Sequence, residues 1–254
     1  MDFVLTPAIA LLLFATGTAA GFVDSIAGGG GLVALPMLLS VGMPPQIALG
    51  TNKLQGSFGT FSAALNYIQK GEVNLKEAAV GIAATFAGAA TGAWTIQHMN
   101  GGFLKGLIPI LLIGVLIYTL ASPDFGDAQR KPKLPAPLFY TLCGLLLGFY
   151  DGFFGPGTGS FWTTAMVLFL GFSMTRAAGY TRVMNFTSNI VALSVFIALG
   201  NVVWTAGLVM AAGQIIGART GSSLAIKSGS KLIKPIFVTV VFLTTARLVY
   251  QSYF

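Results

Sequence analysis

The sequence predicts an all-α polytopic membrane protein built from two five-segment repeats, and three observations carry that prediction. Hydrophobic residues make up 55% of the 254, only 8% are charged, and mean hydropathy is +0.81. Long apolar runs recur along the whole chain, and the second half repeats the first at a nearly fixed offset. Soluble domains carry about a quarter charged residues. Barrel strands would alternate polar and apolar positions, so helices in a bilayer are the class that remains.

The first apolar run, 4–27, has no positive region before it and is longer than a signal-peptide core. It reads as a retained helix. It leads into Gly21-Phe22-Val23-Asp24-Ser25-Ile26-Ala27-Gly28-Gly29-Gly30-Gly31, an acid followed by four consecutive glycines. Glycine runs break helices because they carry the largest backbone entropy cost. Inside a bilayer such a break is tolerated only where protein or a watery cavity covers the freed backbone groups. The stretch therefore reads as half of a substrate site. The next run, 32–41, has ten residues. At ~1.5 Å per residue it cannot cross ~30 Å of hydrocarbon alone, so a short or broken helix is expected.

Runs 46–69, 76–98 and 102–121 complete the first half, and residues 122–135 form the loop with soluble character. That loop holds Asp124, Asp127, Arg130, Lys131 and Lys133, and it is the expected cytoplasmic linker between repeats 1–121 and 136–254. Runs 136–154, 160–171, 175–199, 203–226 and 231–250 follow, giving about 8–10 transmembrane helices with the second run of each half short.

The repeat shows in register. A shift of 129 residues places Gly42 on Gly171, Gly50 on Gly179, Gly71 on Gly200, Gly88 on Gly217 and Gly92 on Gly221. Lys53 falls on Arg182 and Lys105 on Lys234. Roughly one glycine coincidence would arise by chance, so five argue for duplication. Near the start of each half the shift is 127, which pairs Asp24 with Asp151 and Gly17 and Gly21 with Gly144 and Gly148. The glycines spaced by four in four helices suit close helix packing. With five crossings per half the repeats are inverted, and most basic loop residues then fall on one side. The positive-inside rule makes that side the cytoplasm and places both termini in the periplasm.

Of seven acids, five lie in loops or at run ends, and the remaining two are Asp24 and Asp151. Lys53 and Arg182 lie about two helical turns inside the third run of each half. Buried charges in a membrane usually mark a pathway, a proton relay or a paired partner, while the bland alternative is ion pairing or snorkelling. Asp24 and Asp151 are the expected proton carriers if protons drive transport. Arg219 reads as a structural partner of a carboxylate. Free N–H groups at Gly28, Gly29, Gly30 and Gly31, beside a helix N-terminus, suit a small oxyanion. Asn52, Lys53 and Gln55 in the first half, and Arg182, Asn185 and Asn189 in the second, complete the expected substrate-binding set. Each of the two cations would lie some 10–12 Å into the membrane.

Other function classes fit less well. The net charge of +7 comes from bases at segment ends, which reports membrane orientation and not nucleic-acid binding. Cys143 is the only cysteine and His98 the only histidine, so metal or hydrolytic chemistry has no constellation to rest on and no cofactor is expected. A passive anion channel could use the same cations and glycines and stays as the alternative.

The stretch from Gly21 to Leu32, the pair Leu35-Pro36, the run Gly50-Thr51-Asn52-Lys53-Leu54-Gln55-Gly56 and the duplicated architecture together resemble the TauE/SafE family of sulfite and organosulfur-anion exporters. The resemblance covers nearly the whole chain. It implies a multi-pass protein of the bacterial inner membrane that transports small sulfur-containing anions in exchange with, or together with, protons. Pro156 and Thr158 interrupt the second glycine cluster, so the second half-site departs from the first.

Overall fold

In the computed structural model, which describes residues 3–121 and 131–228, local signals set most helix ends. The Thr6 hydroxyl accepts from the Ile9 N–H at 3.3 Å, and Pro7 opens α1 (Pro7–Ala27). Proline suits a first helical position, because its missing N–H would have had no partner there. Gly28 ends α1 in the left-handed conformation, φ 82°, and its N–H returns to the Asp24 carbonyl. Only two residues, Gly28 and Gly29, separate α1 from α2 (Gly30–Ser40). Next come α3 (Pro45–Gln69), α4 (Leu75–Gln97) with Asn74 as its cap, and α5 (Gly101–Ala121).

The second half continues with α6 (Ala136–Phe153) and α7 (Thr158–Ala165), which widens into a π-helical turn at Met166–Leu170. Then follow α8 (Met174–Ala198), capped by Ser173, and α9 (Trp204–Ser228). Every described segment falls within three residues of its expected bounds. The expected run 231–250 and residues 122–130 of the linker lie outside the described residues.

Large apolar side chains cover the outside, and charged side chains lie buried among the helices. Leu11, Phe61, Trp94, Leu146 and Ile216 are exposed, while Lys53, Asp151 and Arg182 are buried. Four described helices, Pro7–Ile26, Leu75–Gln97, Ala136–Phe153 and Met174–Ala198, are long and apolar enough to cross a membrane. This is a multi-pass membrane protein. The 11-residue α2 and the α7 segment are too short to cross hydrocarbon singly.

Glycine lets the helices of the two halves touch. A side chain at Gly17 would strike the Met210 backbone, and one at Gly217 would strike Thr18, so α1 lies directly on α9. A side chain at Gly92 would strike Phe149, and one at Gly148 would strike Thr85, so α4 lies on α6 in the same manner. The first helix of each half thus packs on the fourth helix of the other. Between them α3 and α8 cross antiparallel: Gly50 near the start of α3 meets Phe196 near the end of α8, and Gly179 near the start of α8 meets Tyr67 near the end of α3.

Arg219 shows no sign of the carboxylate partner expected of it among the described residues. It lies exposed on α9.

Candidate functional site

Two ion pairs occupy the centre of the bundle, and each joins one half of the chain to the other. Lys53 on α3 places its Nζ 2.6 Å from Asp151 Oδ1 on α6. Arg182 on α8 places a terminal nitrogen 3.2 Å from Asp24 Oδ2 on α1. Both cations are essentially inaccessible, at 1% and 0% exposure. Breaking such a pair by removing one partner leaves an uncompensated buried charge, at a cost of about 3–5 kcal/mol.

The hydrogen bonds around these pairs differ. An ammonium has three donors. Lys53 directs them to the Asp151 carbonyl at 2.6 Å, to Asp151 Oδ1, and to Asn189 Oδ1 at 3.2 Å. The Ser188 hydroxyl donates to the other Asp151 oxygen in a short bond. Arg182 binds both the backbone carbonyl and the side chain of Asp24, and its Nε reaches the Ala178 carbonyl at 3.4 Å. Its remaining terminal nitrogen has no partner among the described residues. The Asp24 carboxylate also accepts from the Gly30 N–H at 3.0 Å. A side chain of the protein itself therefore sits at the N-terminus of α2, where the sequence placed an oxyanion.

The two helix breaks meet here. Gly28 faces Gly159 so closely that a side chain on either would strike the other's backbone, and Gly31 approaches Pro156. Beside them lies a cavity of about 30 Å³, room for roughly two waters. From the first half Asp24, Gly28, Gly31, Asn52, Lys53 and Gln55 line it, and from the second Asp151, Asn185 and Asn189. Of the sequence-predicted residues, Gly29, Gly30 and Arg182 do not line it, although each is buried.

Of the other four lining residues, Gln214 was not singled out in the sequence, Gly56 entered only within the family motif, and Gly155 and Gly157 only within the interrupted second glycine cluster. Gly155 and Gly157 both have positive φ, 101° and 83°, which the interrupted glycine cluster could have signalled. Gln214 is a lone amide in an apolar run between Gly213 and Gly217, and an offset of 129 puts Thr85 at its place in the first half. His98 is exposed at the end of α4, its ring centre 4.5 Å from that of Trp94 with the planes tilted by 45°. Among the described residues no group of metal-ligating side chains converges.

Comparison with known proteins gives the arrangement its context. Residues 13–248 match the family model described as Sulfite exporter TauE/SafE. The chain is 44% identical to a Probable membrane transporter protein of Haemophilus influenzae over 241 residues, covering 95% of this chain and 94% of that one. It is 41% identical to Probable membrane transporter protein YfcA of Escherichia coli K12 over 251 residues, covering 99% and 93%. Across that full-length match, this multi-pass chain belongs to the sulfite exporter TauE/SafE family and is, like these relatives, a probable membrane transporter.

Proposed function

We propose that the chain is a secondary transporter that moves a small sulfur-containing anion, such as sulfite or a sulfonate, across the bacterial inner membrane with proton coupling. The observation that carries this reading is the pair of buried cation–carboxylate bridges beside a polar cavity at two helix breaks. A structural ion pair needs no cavity, and a packing glycine needs no cation. Both features together in the bilayer suit a site that a charged solute visits.

The chain's own residues supply a cycle. With Asp151 ionised, Lys53 has its three donors occupied and offers an anion nothing. A proton on Asp151 weakens its hold on Lys53, and the freed ammonium takes the anion. Departure of anion and proton restores the bridge. Asp24 lines the same cavity and closes the N-terminus of α2, while its partner Arg182 lies behind it, off the cavity.

The repeat reading extends to residues 1–121 and 136–254, joined by the cytoplasmic linker 122–135, with the second half inverted and both termini periplasmic. The exchange of α1 and α6 partners, the antiparallel course of α3 and α8, and the basic loops support it.

The testing experiment measures uptake and thermal stability of purified protein with sulfite, thiosulfate, sulfoacetate and sulfate. A ligand of the folded state raises its apparent stability. Asp151→Asn and Asp24→Asn should each flatten the pH dependence of transport while leaving anion binding measurable. Current that rises with driving force and never saturates would replace this reading with a channel. Absence of any stabilising anion would remove it.

A further inference from the structure

The polar groups around the cavity are unevenly matched. Lys53 has no donor to spare. Three amide oxygens, by contrast, have nothing to accept from among the described residues: Gln55 Oε1, Asn185 Oδ1 and Gln214 Oε1. All three side chains line the cavity and are 1%, 5% and 2% exposed. Buried acceptors left without donors are costly, at roughly 1–3 kcal/mol each. Three around one cavity point to a visitor that brings hydrogen atoms.

The amides are also held in place. Gln55 donates its Nε2 to Asn52 Oδ1 at 2.8 Å, which leaves its oxygen as the free end. Gln214 Oε1 sits between α1 and α3 in a seat made by Gly21 and Gly59, where a side chain on either would collide with it. Charge agrees with this picture. Two cations face two carboxylates, so the site is formally neutral, and a dianion would enter a low-dielectric centre with no surplus positive charge to meet it.

We propose that Gln214, with Gln55 and Asn185, makes the site selective for monoanions that carry a hydrogen-bond donor, such as hydrogensulfite or a hydroxylated sulfonate, over dianions and over monoanions without a donor. The inference rests on the anion-transport reading and adds to it. The donor of the anion satisfies the Gln214 oxygen, while its charged oxygens take Lys53 once Asp151 lets go. The offset of 129 places Thr85 where Gln214 would stand in the other half, and Thr85 does not line the cavity. The recognition is therefore one-sided.

The test compares two sulfonates of nearly equal size and equal charge, 2-hydroxyethanesulfonate and ethanesulfonate, at one fixed pH, by calorimetry on the purified full chain. Neither changes charge near neutrality, so carboxylate protonation cancels from the comparison. The hydroxylated ligand should bind roughly tenfold more tightly, the worth of about one well-placed hydrogen bond. In Gln214→Leu the two ligands should bind within about twofold of each other, with an unchanged circular-dichroism spectrum and elution profile in detergent as the sign of an intact fold. Gln55→Leu should narrow the gap as well, and it carries the test if Gln214→Leu does not fold. Equal binding of both ligands by the unaltered protein overturns the inference and leaves the transport reading standing. A preference that survives both substitutions overturns it too. Failure of sulfite and of both sulfonates to bind at any pH overturns the transport reading, and the inference with it.

Discussion

At one end of the bundle the Tyr180 hydroxyl accepts from the Asn74 N–H at 3.2 Å, and at the other the Thr51 hydroxyl accepts from the Val203 N–H at 3.0 Å. An offset of 129 carries each of these bonds onto the other, so unlike residues make one and the same contact. Beyond that contact the two ends part. Around Tyr180, Glu77 accepts from the tyrosine at 2.5 Å and pairs with Arg176 at 2.7 Å, and the Arg176 guanidinium lies 4.3 Å from the Phe172 ring centre. The matching positions around Thr51 are Ala206, Ile47 and Met43, which can make none of these bonds. The central pairs differ in the same spirit: Lys53 borders the cavity, and Arg182 is walled off behind Asp24. The framework hydrogen bond is the same at both ends, and the charged contacts around it are not.

The sharpest way to break this comparison is to neutralise each central pair as a unit. Lys53→Met with Asp151→Asn should lower anion binding by roughly a hundredfold or more, while the protein stays folded in detergent, because no lone charge is left buried. Arg182→Met with Asp24→Asn should weaken binding several-fold at most and should chiefly alter the α1–α2 junction. Equal losses in the two double variants, read by calorimetry, would erase the distinction between the pairs. Arg182→Lys alone should bind better than Arg182→Ala yet below the unaltered protein, since lysine lacks the forked geometry.

A second and smaller effect sharpens the contrast between the ends. Glu77→Gln removes an ion pair whose members are about half and one third exposed. Equilibrium stability should fall by only ~0.2–1 kcal/mol. Cysteine-labelling accessibility near Asn74 should nevertheless increase more than near Val203. Equal increases at both sites would show that the Glu77–Arg176 contact does not hold its own end. Smallest of all, Arg219→Ala should change neither stability nor transport beyond about 0.5 kcal/mol, because its side chain is exposed and has no carboxylate partner among the described residues. A large transport defect there would place a functional partner outside the described residues.

Much of the fold was legible because it depends on local chemistry. Apolar run length set the helices, the prolines and glycines at 7, 28, 45 and 171 set their ends, and the paired charges at 24, 53, 151 and 182 stood out against apolar surroundings. The exchange of partners was not legible: nothing along the chain says that Lys53 meets Asp151 in place of the nearer Asp24. That choice follows from α1 packing on α9 and α6 on α4, a long-range outcome of backbone approach at glycines. Gln214 was missed for a related reason. One amide in an apolar helix is ordinary helix glue in a membrane, and only the fold shows that Gly21 and Gly59 leave the space its oxygen occupies. The proposed oxyanion site at Gly30 was anticipated as open, whereas Asp24, six residues earlier, folds back to fill it.

The contact between Gly28 and Gly159 carries a consequence for how this sequence can change over time. Each position excludes a side chain because the other's backbone is already there, and Gly28 adds a left-handed conformation that only glycine adopts easily. A methyl group at either site forces the two chain breaks apart, so neither residue can drift singly. A second methyl on a junction already parted meets less resistance than the first did. The pair should therefore show strong positive epistasis, with Gly28→Ala and Gly159→Ala together costing less than the sum of their separate costs. Two segments more than a hundred positions apart in the chain are, for purposes of inheritance, one locus.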